Sequence, residues 1–103
     1  MKAYCLFDNV HLKDASKLNS YKEQVGAVVQ KFNGEYLVLG GKIRAIEGNW
    51  EPSTLVMIAF PDFETANAWY DSEEYRELKA LRMEGVDCNA VIMEGFDSTL
   101  MQA

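Results

Sequence analysis

The sequence predicts an α+β protein of the ferredoxin-like βαββαβ order, in which a four-stranded antiparallel sheet carries two helical segments on one face. Short apolar runs alternate with two stretches of helical spacing, in the order strand, helix, strand, strand, helix, strand. A right-handed crossover in each strand-helix-strand unit then places both helices on one side of the sheet. We expect residues 1–103 to form a single domain, with a core at about 3–95 and a tail at 96–103.

The first strand is predicted at Lys2–Val10, where both sets of alternate residues are apolar until the chain turns polar near its end. Asp14 is a good N-cap, and apolar residues recur at intervals of three and four as far as Phe32. Asn33-Gly34 is a typical left-handed C-terminal signal. A helix of about four turns should therefore follow the first strand.

Glu35–Leu39 has the pattern of a second strand, which Gly40-Gly41 should end with a bulge or a sharp bend. Lys42–Glu47 is a candidate extension of that strand. Turn-forming residues at 48–53 separate it from Thr54–Phe60, which is apolar at every position after Thr54. That third strand is the clearest in the sequence.

The stretch 60–82 predicts a second helical segment in two parts. Asp62 is placed to cap the first part and Ser72 to cap the second, each before residues that form an apolar face. A loop at Gly85–Asp87 should then lead into a fourth strand at Cys88–Glu94.

The strands also indicate that the second face of the sheet is not solvated. In 55–60 and 90–93 both sets of alternate residues are apolar, whereas a wet face needs polar residues at every other position. We expect a second copy of the chain to cover this face, which gives a homodimer built as a closed two-subunit barrel. The alternative is a monomer whose tail folds across the sheet through Phe96, Leu100 and Met101.

Composition excludes several classes of partner. The net charge is -6 with a sequence pI near 4.7, and scattered Lys and Arg residues argue against nucleic acid and against an anionic membrane surface. The N-terminus lacks the pattern of a secretory signal, and no run approaches the roughly 20 apolar residues of a membrane span. We therefore expect a cytoplasmic protein, in which Cys5 and Cys88 fill apolar strands as free thiols; a redox or metal role is the alternative.

Motifs that carry catalysis are not found in the sequence. It has no HExxH, GxSxG or GxGxxG pattern, and His11 is the only histidine. We interpret His11 as a solvated residue of a polar connection, with a general base as the alternative. We accordingly expect no metal and no cofactor, and the sequence motifs assign no catalytic residue.

Aromatic residues are the best candidates for a binding surface, because rings supply apolar area together with a polar edge. The candidates are Tyr21, Tyr36, Trp50, Trp69, Tyr70 and Tyr75. Glu47 and Arg82 are the charged residues chosen for polar contacts, the first as a base and the second as the partner of a substrate carboxylate. Core packing for the rings, and ion pairs or solvated side chains for the charges, are the alternatives.

Several segments together have the pattern of one family. They are Asp14 with Tyr21, the run 34–41, the run 47–52, Phe60-Pro61 through Ala66, Trp69-Tyr70, Ser72, Tyr75 and Arg82, and finally Glu94-Gly95. In these residues the chain resembles the small bacterial proteins grouped as domain of unknown function 1330, within the dimeric α+β barrel superfamily. The resemblance spans about Tyr4 to Gly95.

The resemblance implies a dimer and a cavity between sheet and helices, since related families include cofactor-independent monooxygenases, isomerases of small acids and haem-degrading enzymes. It does not fix a function. The family pattern usually has arginine before the glycine pair, where this chain has Leu39, so a contact to an anionic ligand would be lacking here. Two hypotheses follow: a cofactor-independent enzyme acting on a small hydrophobic or acidic metabolite, or a non-catalytic dimeric module that binds a ligand or a protein.

Overall fold

The computed structural model describes residues 1–97 and Thr99. The secondary-structure elements of this part, in chain order, are β1 (Ala3–Leu12), α1 (Ala15–Lys31), β2 (Glu35–Leu39), β3 (Thr54–Phe60), α2 (Phe63–Tyr70), α3 (Glu73–Gly85) and β4 (Val86–Glu94). The strands form one sheet in the order β2-β3-β1-β4, and every neighbouring pair is antiparallel. The ferredoxin-like α+β fold predicted from the sequence is confirmed.

The helices cover one face of this sheet. On the central strand β1, Cys5 and Phe7 point to that face and are buried, as is Ile58 opposite Cys5 on β3. Trp69 of α2 is completely buried, with its ring 5.2 Å from that of Phe60 and 6.2 Å, edge-on, from that of Phe7. The core therefore lies between the helices and one side of the sheet.

The three predicted N-caps are formed. The Asp14 carboxylate accepts from the backbone amides of Ser16 and Lys17, and the Asp62 carboxylate accepts from that of Thr65. The Ser72 hydroxyl likewise accepts from the amide of Tyr75. Each satisfies amides that have no partner within a helix, so α2 and α3 form as separate helices, as the sequence indicated.

The β2–β3 connection differs from one expectation. Lys42–Glu47 does not extend β2, because Gly40 turns the chain at φ 68° and donates its amide to Leu55 O on β3. The residues beyond it therefore leave the sheet as a long exposed loop. Asn33 has the predicted left-handed conformation at φ 61°.

The expected loop at Gly85–Asp87 is also wrong, since α3 runs to Gly85 and β4 begins at Val86. Gly85 O accepts from the amides of Lys13 and Asp14, which fastens this junction to the start of α1. Leu12 pairs with Val86, so β1 continues past its predicted end and includes His11, with an irregularity between Asn9 and His11. His11 is thus an exposed strand residue instead of part of a connection.

The face of the sheet that the helices leave free is mainly apolar, as predicted. We name it the open face. Its apolar residues are Tyr4, Leu6, Val38, Leu55, Met57, Ala59, Val91 and Met93, and its polar residues include Asp8, Glu35 and Asn89. Val91 at the centre of β4 is 55% exposed. Of the proposed tail anchors, Phe96 is 68% exposed, while Leu100 and Met101 lie outside the described residues. Within the described chain, no helix combines the length and the hydrophobicity that crossing a membrane requires.

Candidate functional site

A cavity of about 560 Å³ lies between α1 and the helix-covered face of the sheet. Its walls are mainly apolar, with Phe7, Val25, Val56 and Ile58 among them. The polar lining includes Asn9, Tyr21, Tyr36, Thr54 and Arg82, and Lys22 is exposed beside it. This size and mixture are typical of a small-molecule site.

The helix–strand register explains how the polar residues meet. Tyr21 lies one turn before Val25, which is one of the two buried residues of α1, so its ring is directed toward the same side of the helix. Tyr36 of β2 pairs with Ile58 and therefore shares the helix-covered face. Arg82 reaches the cavity from the last turns of α3.

Three of the predicted residues are joined by hydrogen bonds. The hydroxyl oxygens of Tyr21 and Tyr75 are 2.9 Å apart, and Arg82 Nε donates to the Tyr75 hydroxyl at 3.3 Å. The Arg82 guanidinium also lies over the Phe7 ring, with its carbon 5.2 Å from the ring centroid. Tyr75 has its own ring 4.3 Å from that of Trp69, which fixes the chain of hydrogen bonds to the core.

Arg82 places a buried positive charge at the site. It is only 5% exposed, yet no carboxylate of residues 1–97 and 99 lies within ion-pair distance of it. A smaller depression of about 390 Å³, between α3 and β4, reaches its other side. Burying a charge without a counter-ion is costly, and the hydrogen bond that the described residues give the Arg82 side chain is to the Tyr75 hydroxyl.

The phenols around Arg82 stay protonated. Burial raises the pKa of Tyr36 to about 12, with a further contribution from Tyr75. Burial, and then the neighbouring Tyr75, raises the pKa of Tyr21 well above its usual range, and burial is also the main cause that raises the pKa of Tyr75. At neutral pH these groups are therefore hydrogen-bond donors, and none of them can be the counter-ion of Arg82.

Other predicted site residues lie elsewhere. Trp69 is packed in the core, and Tyr70 lines the smaller depression with Lys79 Nζ 4.2 Å from the centre of its ring. Glu47 is an exposed residue of the β2–β3 loop. Trp50 belongs to the same loop, and its indole N–H donates at 2.8 Å to Asp8 Oδ2. Neither Glu47 nor Trp50 lines the cavity, so the base proposed from the sequence is not beside Arg82.

Asp8 and Trp50 meet on the open face. Asp8 follows Phe7 along β1, so its side chain points away from the helices. It is 7% exposed, and its Oδ1 has no hydrogen-bond partner among the described residues. The loop that carries Trp50 thus covers part of the surface on which a second copy is expected.

Sequence reasoning missed Asn9 and Gly26. Asn9 continues the row of Cys5 and Phe7 on the helix-covered face, where a polar residue in an apolar row was an available signal. Gly26 stands inside α1 and lines the cavity, and a side-chain carbon built there meets no atom within 4 Å. A glycine in a helix interior costs stability relative to alanine, so its presence in α1 was a signal that sequence reasoning could have used.

The arrangement can bind and polarise an anionic group but offers no obvious base. No Asp, Glu or His lines the cavity in the described residues, and no cluster of three potential metal ligands occurs there. A guanidinium and neutral phenols in apolar walls supply donors to a carboxylate or to a developing oxyanion. If a reaction at this site needed a base, a group of the ligand or a water molecule would have to accept the proton.

The fold and the cavity define the class: a ferredoxin-like α+β protein with a ligand-sized space between its first helix and its sheet. Within that class the chain belongs to the family described as domain of unknown function (DUF1330), whose model matches residues 2–96. No curated protein matches the sequence.

Solved structures share the fold at low sequence identity. A protein of unknown function from Rhodopseudomonas palustris has 14% identity and a TM-score of 0.73, with 93% of this chain and 83% of that chain covered. A dimeric ferredoxin-like protein of unknown function from Bacteroides fragilis has 13% identity and a TM-score of 0.58, with 91% and 96% covered. An ethyl tert-butyl ether d (ethd) family protein from Bacillus halodurans has 12% identity and a TM-score of 0.60, with 93% and 100% covered.

Proposed function

We propose that this protein binds a small, mostly hydrophobic molecule with an acidic group, held in the cavity between α1 and the sheet with Arg82 as the partner of the acid. The observation that carries the proposal is the burial of Arg82 without a carboxylate among residues 1–97 and 99. The apolar walls suit the body of such a ligand, and the neutral phenols of Tyr21 and Tyr36 suit the acid.

The size of the expected effect follows from the charge. A hydrogen bond to a charged group contributes about 1.5–3 kcal/mol, which corresponds to about 10- to 100-fold in affinity. An uncharged isostere of the ligand gains none of the attraction between charges, and it leaves the cation buried and unpaired. The site should therefore distinguish an acid from its amide.

Isothermal titration calorimetry with benzoate and benzamide tests the proposal. We expect the protein to bind benzoate more tightly, and Arg82→Gln to lose about 10- to 100-fold in benzoate affinity. Arg76→Gln is the matched control, because Arg76 is an exposed arginine of the same helix whose ion pair with Glu73 is at the surface. Equal binding of benzoate by Arg82→Gln and by the unmodified protein would overturn the proposal. Native mass spectrometry of the purified protein would identify a retained acid directly.

A cofactor-independent enzyme is the second candidate, and one feature favours it. The neutral Tyr21 phenol, which is linked to Arg82 through the Tyr75 hydroxyl, can donate to an oxygen that gains negative charge, as an oxyanion site does. Exchange of the α-hydrogens of phenylacetate in D₂O tests this idea. Exchange catalysed by the protein and lost in Tyr21→Phe would support it, and an unchanged background rate would leave ligand binding as the function.

We further propose that the protein acts as a homodimer joined through the open face. The face is mainly apolar, and the Bacteroides fragilis protein of the same fold is described as dimeric. Val91→Asp should give monomers in sedimentation at micromolar concentration, because it places a charge on the open face at an already exposed position of the edge strand β4. Met83→Asp, at a similarly exposed apolar residue of α3, should leave the dimer intact. Single copies of the unmodified protein would refute the proposal.

The proposed compartment is the cytoplasm. Cys5 and Cys88 are both free thiols, and reduced cysteines are typical of that compartment.

A further inference from the structure

The hydrogen bonds that join Arg82, Tyr75 and Tyr21 have one consistent direction. Arg82 Nε is a donor without a lone pair to offer, so the Tyr75 oxygen accepts from it at 3.3 Å. Tyr75 is fully buried, and the Tyr21 oxygen at 2.9 Å is the one acceptor within reach of its proton in residues 1–97 and 99. A buried hydroxyl left without an acceptor would cost about 1–3 kcal/mol. Tyr75 therefore donates to Tyr21.

This direction leaves the Tyr21 proton unused. Tyr21 accepts from Tyr75, so its own O–H turns away from that bond, and no acceptor for it is found in the described part of the chain. Tyr21 lines the cavity, where a ligand oxygen could accept the proton. The high pKa that burial gives Tyr21 keeps this proton in place at neutral pH. The cavity thus offers two donors that are linked through the Tyr75 hydroxyl, namely Tyr21 O–H and the guanidinium of Arg82.

We propose that the acidic group of the ligand is a carboxylate with one oxygen on Arg82 and the other on Tyr21, and that Tyr75 is a positioning residue that does not touch the ligand. This inference rests on the proposed function and adds to it the chemical class of the acid and the group that recognises its second oxygen. A carboxylate only accepts, through two oxygens. A carboxamide places its NH₂ against one of the two donors, which makes it the sharpest competitor.

The preference for benzoate over benzamide, measured as the ratio of their affinities, tests the proposal. We expect Tyr21→Phe and Tyr75→Phe each to reduce this ratio by about 10-fold. Tyr21→Phe removes the hydroxyl that donates to the ligand, and Tyr75→Phe removes the hydroxyl that orients it, while both keep the aromatic ring. A change in cavity shape alone would weaken both probes alike and leave the ratio unchanged. Tyr70→Phe is the matched control, since Tyr70 lines only the smaller depression beside Arg82. A reduced ratio in Tyr70→Phe would place the anion in that depression and overturn the proposal.

A second experiment makes the Tyr21 hydroxyl a stronger hydrogen-bond donor instead of removing it. Replacement of Tyr21 by a ring-fluorinated tyrosine makes the phenol more acidic and should tighten benzoate binding several-fold without a similar gain for benzamide. No gain, together with an unchanged ratio in Tyr21→Phe, overturns this inference. If Arg82→Gln still loses about 10- to 100-fold in benzoate affinity in that case, the proposed function stands; if Arg82→Gln binds benzoate normally, both proposals fail.

Discussion

Substitutions of Gly26 test most directly whether the volume between α1 and the sheet is free to hold a ligand. It lies in the interior of α1, where glycine costs about 0.5–1 kcal/mol relative to alanine. A side-chain carbon at this position meets no heavy atom within 4 Å, so Gly26→Ala should gain that amount in full. For a domain of this size the gain corresponds to a rise in Tm of roughly 2–8 °C, which thermal unfolding followed by circular dichroism would measure.

A larger residue at the same position separates stability from binding. Gly26→Phe adds a ring at the cavity wall, so benzoate affinity should fall more than about 10-fold, while a cooperative thermal unfolding transition shows that the variant still folds. Gly34→Ala is the contrasting control, because its added carbon would lie 2.6 Å from Val29 Cγ1 and 2.8 Å from Phe60 Cε1 and should destabilise the protein. A lower Tm for Gly26→Ala, or normal benzoate binding by Gly26→Phe, would refute the assignment of the cavity.

Three further predictions concern other residues of the cavity, the β2–β3 loop and the core. Leu39→Arg should tighten benzoate binding several-fold in calorimetry, because Leu39 lines the cavity at 71% exposure and the new cation would face the acid; unchanged affinity would contradict this. Trp50→Phe should reduce the free energy of unfolding in urea by about 1–3 kcal/mol, since the buried Asp8 loses its indole donor; no loss would show that the bond is unimportant. Burial raises the pKa of Cys5 and of Tyr36 to about 12, so the folded state favours their protonated forms. The contribution of these two groups to the free energy of unfolding should therefore be fully present below about pH 9 and should be lost as the pH rises toward 12. The loss should be up to about 1.4 kcal/mol per pH unit for each group. A free energy of unfolding in urea that does not change over this pH range would contradict the burial of the two groups.

The sequence predicted the elements well where periodicity and capping agree. Asp14, Asp62 and Ser72 begin their helices because each precedes an apolar face and has a side chain able to accept from free amides. Gly85 failed as a loop signal for a tertiary reason. Its missing side chain lets α3 approach the backbone of Leu18 closely, since an added carbon would lie 2.9 Å from Leu18 N. A contact between distant segments cannot be inferred from local turn preferences.

The residues of the candidate site were predicted well in the helices and poorly in the β2–β3 loop. Tyr21, Tyr75 and Arg82 belong to regular helices, where spacing fixes the face that a residue presents, and the structure brings them together. Trp50 and Glu47 belong to the β2–β3 loop, which has no period that relates a residue to one side of the sheet. Their grouping with the helical residues therefore had no geometric basis, and the structure places Trp50 against Asp8 instead. Whether the predicted residues bind a ligand stays a prediction.

The charge distribution adds an argument for a ligand at Arg82. All sixteen Asp and Glu residues lie in the part of the chain that the structure describes, and the ion pairs found there join exposed side chains such as Lys17 with Glu84. Pairs of this kind contribute little to stability. Arg82, where a pair would be strong, instead has a phenol, an aromatic ring and an adjoining cavity. No carboxylate of the described residues lies within ion-pair distance of the buried Arg82, and the acidic group of a ligand would supply that partner. Such an anion should also raise the Tm with its concentration, by the stabilisation that any ligand of the folded state provides.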